Sequence, residues 1–127
     1  MDEGKNASIT IDGEEYELIL TMRATREIGA RYGGLEAVSD TLLKAESFEK
    51  VIIEVVWLIT MLCNQGILIH NLRNPDQKRP LLTEEKVELL TTPSDIVGFR
   101  DAILDSMAKG VNRAIENEPD PKNVENG

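Results

Sequence analysis

The chain of 127 residues has one cysteine, one histidine and one tryptophan, and aromatic residues make up only 4% of it. Each scarcity closes a route. With Cys63 alone there is no internal disulfide and no CxxC pair for metal or redox work, and a lone cysteine in an apolar stretch reads as a small buried group. With His70 alone, no histidine cluster can hold a metal. Positive charge is scarce as well. Fourteen Lys and Arg against 23 Asp and Glu leave a net charge of −9, which repels phosphate backbones unless a local basic patch overrides the field. The densest such patch, Arg73, Lys78 and Arg79 in NLRNPDQKRP, has Asp76 inside it and no aromatic to stack on a base. Nucleic acid is therefore not an expected partner. Long apolar runs are missing too: Val55 to Ile59 is bounded by Glu54 and Thr60, well short of the about 20 residues of a spanning helix. MDEGKNAS at the N-terminus lacks the basic and apolar regions of a secretory signal. These features lead us to expect a cytoplasmic protein with no membrane contact.

Periodicity supplies the rest. SITIDGEEYELILTM alternates polar and apolar residues on both sides of Asp12-Gly13, a pair suited to the positive φ values of a two-residue turn. Strands are expected near Ser8 to Ile11 and Tyr16 to Met22, with Ile9 and Ile11 on one face and Tyr16, Leu18 and Leu20 likewise. A lone hairpin is marginal in water, so helices must cover it. TREIGARYGG fits a helix that begins near Thr25 and ends at Gly33-Gly34, and LEAVSDTLLKAES places Leu35, Val38 and Leu42 at helical spacing. Further on, Thr83 suits the cap of a short helix with an acidic first turn, Glu84-Glu85, that reaches about Leu90. Thr92, Pro93 and Asp95 then read as the cap, first and third positions of the last helix. Its apolar stripe is Ile96, Ile103, Met107 and Val111, with Phe99, Leu104 and Ile115 at the margins. Arg100 falls inside that stripe, where its stem either lies on the core with the head in water or meets a partner.

The central segment is the most apolar. Ser47 suits an N-cap, and Phe48 to about Gln65 reads as one helix. Leu58, Val51, Leu62, Val55, Ile59, Ile52, Cys63 and Val56 fill an arc of roughly 160°, wider than a surface helix needs, so this is the expected core helix. Ile53, Trp57 and Met61 form a second line at i, i+4 and i+8, between Glu54, Thr60 and Asn64. That line requires its own cover, from the same chain or from a partner. Cover within the chain is the commoner fate, and it would leave partner binding to the hairpin and the last helix. The candidate partner-binding residues are Ile53, Trp57, Met61 and Arg100.

The expected fold is mainly α, an N-terminal β-hairpin packed on a bundle of about four or five helices. One globular domain spans 8–116, with the hairpin in 8–22 and helices in 24–116, between disordered ends at 1–7 and 117–127. Asp101 and Asp105 are an i, i+4 carboxylate pair, but a cation site needs more oxygen ligands than this spacing supplies. No catalytic, metal or cofactor-binding residue is assigned, and an enzyme is not expected. An acidic helical domain with spare apolar surface points to protein–protein contact, and a small adaptor or regulatory domain encoded on a mobile element fits these features.

The order of features is similar to a known family. A hairpin followed by LTMRATREIGARYGGL, a long apolar helix closing in LCNQGI, then LTEEKVELL, IVGFRDAI and a polar tail resembles the tail assembly chaperones of long-tailed phages and prophages, over about Ile9 to Val111. The chain departs from the family where NLRNPDQKRP replaces a short acidic linker. The resemblance implies a protein that binds the helical tape measure protein, keeps it soluble, and helps recruit tail tube protein during assembly in the host cytoplasm. A homo-oligomer is compatible with it. It also implies a longer product made by ribosomal frameshifting near the end of the short form.

Overall fold

The computed structural model describes residues 5–117. Most of the expected disordered ends, 1–4 and 118–127, lies outside the described residues. The elements are β1 (Ala7–Ile11), β2 (Glu14–Leu18), α1 (Met22–Tyr32), α2 (Glu36–Lys44), α3 (Phe48–Arg73), α4 (Glu84–Leu90), a 3-10 turn (Pro93–Asp95) and α5 (Ile96–Asn117). The fold is mainly α with a small two-stranded antiparallel sheet packed on the helices.

Asp12 and Gly13 turn the hairpin with φ of 52° and 82°, so the turn twists in the same sense as the strands. The register pairs Ile11 with Glu14, Ile9 with Tyr16 and Ala7 with Leu18. Ala7, Ile9, Ile11 and Leu18 are buried, while Ser8 and Thr10 face out and are exposed. β2 ends four residues earlier than the alternation suggests. Ile19 leaves the ladder and donates its N–H to the Leu62 carbonyl of α3 at 3.3 Å, and Thr21 then caps α1, its Oγ1 accepting from Ala24 N–H at 3.0 Å. Helix α1 accordingly begins at Met22 rather than near Thr25, whose hydroxyl instead donates to the Thr21 carbonyl. Gly33, at φ 89°, ends the helix as expected.

The core is built on α3, which packs against β2, α5, α4 and α2. Ser47 caps it, Oγ accepting from Lys50 N–H at 3.2 Å. Every residue of the eight-residue arc is buried except Ile52, which is half-buried. The helix does not stop at Gln65 or close at Gly66; it runs on to Arg73. Gly66 serves a close approach instead of an end. A Cβ there would sit 3.1 Å from the Glu17 carbonyl oxygen, so β2 crosses α3 where the helix has no side chain. With this extra length α3 becomes long and apolar enough to cross a membrane by size and composition. In this fold its apolar arc is the centre of the core.

Two asparagines then organise the chain's return. Asn64 accepts from Leu82 N–H at 2.8 Å and donates to the Leu82 carbonyl at 2.9 Å. Asn71 does the same for Arg79, at 2.8 and 3.0 Å. Seven residues of helix rise about 10 Å, and three residues of extended chain span about 10 Å. The two amides therefore hold 79–82 along α3 as a neighbouring strand would. The segment delivers Thr83 as the cap of α4, with Oγ1 accepting from Lys86 N–H at 3.1 Å.

The stripe on α5 is rotated from the expected one. Ile96, Ile103 and Met107 are buried, but Phe99 is only 5% exposed and belongs to the core, while Val111 is 40% exposed. Ala102 and Ser106 fill the inner face instead, and their small side chains allow close packing; the Ser106 hydroxyl donates to the Ile103 carbonyl at 2.7 Å. The side chain of Ile115 lies outside the described residues.

Leu62 tests the arrangement, because it has no exposed surface and sits where α3 meets the end of β2. Leu62→Ala should lower unfolding free energy in denaturant melts by about 2–5 kcal/mol; a loss under about 1 kcal/mol would mean that this arc is not the core.

Candidate helix-binding groove

The apolar line opposite the core arc forms the floor of a groove. Trp57, Thr60, Met61, Asn64, Gln65 and Leu68 of α3 lie between Arg23 and Glu27 of α1 on one side and Leu81 and Glu84 on the other, enclosing about 320 Å³. Because α3 continues past Gly66, the line does too. Ile53, Trp57, Met61, Leu68 and Leu72 fall along one side of the helix over 20 residues, about 28 Å. Ile53 is 50% exposed, Leu72 is 84% exposed, and Leu81 on the groove wall is 43% exposed. Leu68, Leu72 and Leu81 are absent from the sequence-based set. The signal for the first two is their spacing from Met61, which is legible only if Gly66 is read through rather than as an end.

Cover of the line is unequal. Trp57 is half-buried, with the Arg31 guanidinium 4.4 Å from its ring centroid and the Tyr32 ring edge-on at 6.1 Å. A cation over indole contributes about 0.5–2 kcal/mol. Both cover groups are held by one carboxylate: Arg31 Nε and the Tyr32 hydroxyl donate to Glu54 Oε1 at 3.1 and 2.5 Å. Burial pushes the Glu54 carboxyl up, but the hydrogen bonds from Tyr32 and Arg31 and the charges of Arg31 and Lys50 outweigh it and hold the group below the ordinary carboxylate range. Burial, then the bond to Glu54, raises the Tyr32 phenol. Further along, Gln65 is buried and fully engaged, accepting from the Thr21 hydroxyl at 2.6 Å and donating to the Met61 carbonyl at 3.2 Å. α1 thus closes over Trp57 and leaves Met61 and Leu68 only half-buried.

No family model, curated protein or solved structure matches the chain. The groove is therefore read from its own chemistry. An apolar floor with charged walls suits the apolar face of an amphipathic helix, whose anchors recur at i, i+3, i+4 and i+7.

The other candidates lie elsewhere. Arg100 is on α5, where its Nη1 donates to the Leu42 carbonyl at 3.3 Å and ties α5 to the last turn of α2. The residue is half-buried, and this bond joins one nitrogen of its head to backbone. Cys63 is in the core, with burial pushing its thiol up to about 12, which leaves it protonated and unreactive at neutral pH. His70 Nε2 contacts the Gln77 carbonyl oxygen at 2.9 Å and belongs to the loop after α3. In that loop, the Arg79 guanidinium lies 5.8 Å from the Tyr16 ring centroid. Asp105 pairs with Lys109 at 3.2 Å, and among the described residues no group of three His, Cys, Asp or Glu could hold a metal ion.

Two outcomes follow from the clamp. Trp57→Ala should destabilise the isolated protein by about 3 kcal/mol, since it removes a large half-buried side chain together with its cation contact; an unchanged melt would show that α1 does not depend on it. Glu54 titrates lower folded than unfolded, so its contribution is present above its ordinary pKa of 4.5 and is lost as pH falls through the folded value. Wild type should therefore lose more stability than Glu54→Gln when denaturant melts at about pH 6 and about pH 3 are compared, and equal losses would remove Glu54 as a linked group.

Proposed function

We propose that the protein is a tail assembly chaperone of a long-tailed phage or prophage, and that it binds the tape measure protein by seating one of its helices on the exposed apolar line of α3. The observation that carries this reading is the line itself, about 28 Å long and bordered by α1 and the 79–84 segment. A tape measure protein is long, helical and apolar, so it needs its surface covered before the tail tube closes round it. The feature order of the chain, from hairpin to IVGFRDAI, supports the same family. A net charge of −9 keeps loaded copies apart in solution. In this reading the protein acts in the host cytoplasm, has no catalytic role, helps bring tail tube protein to the complex and is absent from the finished virion.

Met61 and Leu68 separate binding from folding because both line the groove without being fully buried. When the chain is co-expressed with the tape measure protein of the same phage or prophage, wild type should keep that protein soluble and co-purify with it. Leu68→Glu should weaken capture by about 2 kcal/mol, roughly thirtyfold, with little change in the thermal midpoint. A tape measure protein that stays insoluble with wild type would overturn the function, and full capture by Leu68→Glu would move the contact off this groove.

A further inference from the structure

β1 is an edge strand: α5 packs against it, and among the described residues no second strand pairs with its outer side. The two-residue turn makes Ile11 and Glu14 the closing hydrogen-bonded pair. By antiparallel alternation, Ile9 with Tyr16 and Ala7 with Leu18 then exchange N–H···O bonds, and Ser8 and Thr10 aim their N–H and C=O groups away from β2. β1 and β2 are the whole sheet among the described residues, and no other described strand or loop takes up those groups. Edge strands are commonly blunted by charge, proline or a bulge. β1, ASITI, has none of these, whereas β2, EEYEL, presents Glu14, Glu15 and Glu17.

We infer that β1 is a self-association edge, which pairs antiparallel with β1 of a second copy about a two-fold axis at Ile9. The register is self-complementary. Setting Ile9 against Ile9 of the second copy puts Ser8 opposite Thr10 and Thr10 opposite Ser8, the residues whose backbone groups point outward, so each pair exchanges two hydrogen bonds. On the solvent face the same pairs match hydroxyl with hydroxyl, and on the inner face Ala7 meets Ile11. Such cross-strand pairs are favourable, and no like charges are placed directly opposite each other. Pairing through β2 would instead set glutamates near glutamates. The occupant is therefore a copy of β1 rather than a strand of opposite charge, for which Ser8 and Thr10 offer no complement. Lys109 Nζ reaches the Lys5 carbonyl at 2.5 Å, which limits the pairing to the five residues of the strand.

Five paired residues bury less than the roughly 1,200 Å² of a stable interface, and the copies repel through their net charge of −9. The dimer is therefore weak and strengthens with salt. In sedimentation equilibrium of the full chain, the average mass should rise from 14.2 kDa towards twice that value between about 10 μM and about 1 mM, and rise further at high salt. Thr10→Pro removes an outward N–H that the hairpin does not use and should abolish the rise with the fold intact by circular dichroism. If that variant unfolds, Ser8→Lys combined with Thr10→Lys provides the second test, since it sets like charges across the edge from the solvent side. Thr10→Val, which keeps the backbone, should associate as wild type does. A wild type that remains at monomer mass, association that weakens with salt, or a folded edge variant that still associates would overturn the proposal. So would a monomer that gains a strand only from another protein. Tape measure capture is read separately, so either idea can fail alone.

Discussion

The rest of the structure depends on a helix that is apolar on more than one side. α3 is 26 residues long, and its main arc is wide enough to take the hairpin, α5, α4 and α2 together. Every other element is short or amphipathic and would have little reason to hold its shape alone; a two-stranded ribbon and a seven-residue helix are both below the size at which isolated elements persist in water. Their stability comes from the surface that α3 offers them.

Covering that helix brings polar groups close to apolar ones, and the chain resolves this with side chains that imitate backbone. Asn64 and Asn71 each bind one residue of the returning segment through both amide groups. Gln65 spans from its own helix to the cap of α1, and Arg100 bonds the carbonyl of Leu42. No buried side-chain nitrogen or oxygen lacks a hydrogen-bond partner among the described residues. A buried polar group left unpaired costs about 1–3 kcal/mol. These few residues therefore determine where α1, α2 and the 79–82 segment can lie against α3.

The same logic divides the second apolar line into a covered part and an open one. Arg31 and Tyr32 close over Trp57 because Glu54, on the next turn, fixes both. Glu27 and Glu84 border the groove beside Met61 and Leu68, but among the described residues neither holds an aromatic or guanidinium cover over them, and there the line remains open between α1 and Leu81. Cover from the chain itself is thus uneven along one helix. It is closest at Trp57, with Ile53 before it and Leu72 beyond it both exposed.

Much of this architecture was legible in the residues. Asp12-Gly13 marks the turn, Gly33 the end of α1, and Ser47 and Thr83 the starts of α3 and α4, because each acts through its own backbone or a hydroxyl three residues away. The core arc of α3 was readable for the same reason, as period alone decides which side chains share a face. Other outcomes needed partners distant in sequence. Gly66 looks like a stop signal until β2 is seen crossing it, so the helix looked shorter and Leu68 and Leu72 dropped out of the site. Thr21 and Thr25 both suit a cap, and only the Gln65 side chain and the departure of Ile19 from its strand favour Thr21. The inner face of α5 turned towards Phe99 and away from Val111 because its position was set by what it packs on. The sequence by itself determined the elements and the need to cover α3 on two sides, since these depend on local periodicity and capping. Only the tertiary structure decided how far α3 runs, which polar side chains tie the other elements to it, and which stretch of its second face stays open, since each depends on contacts between residues far apart in the chain.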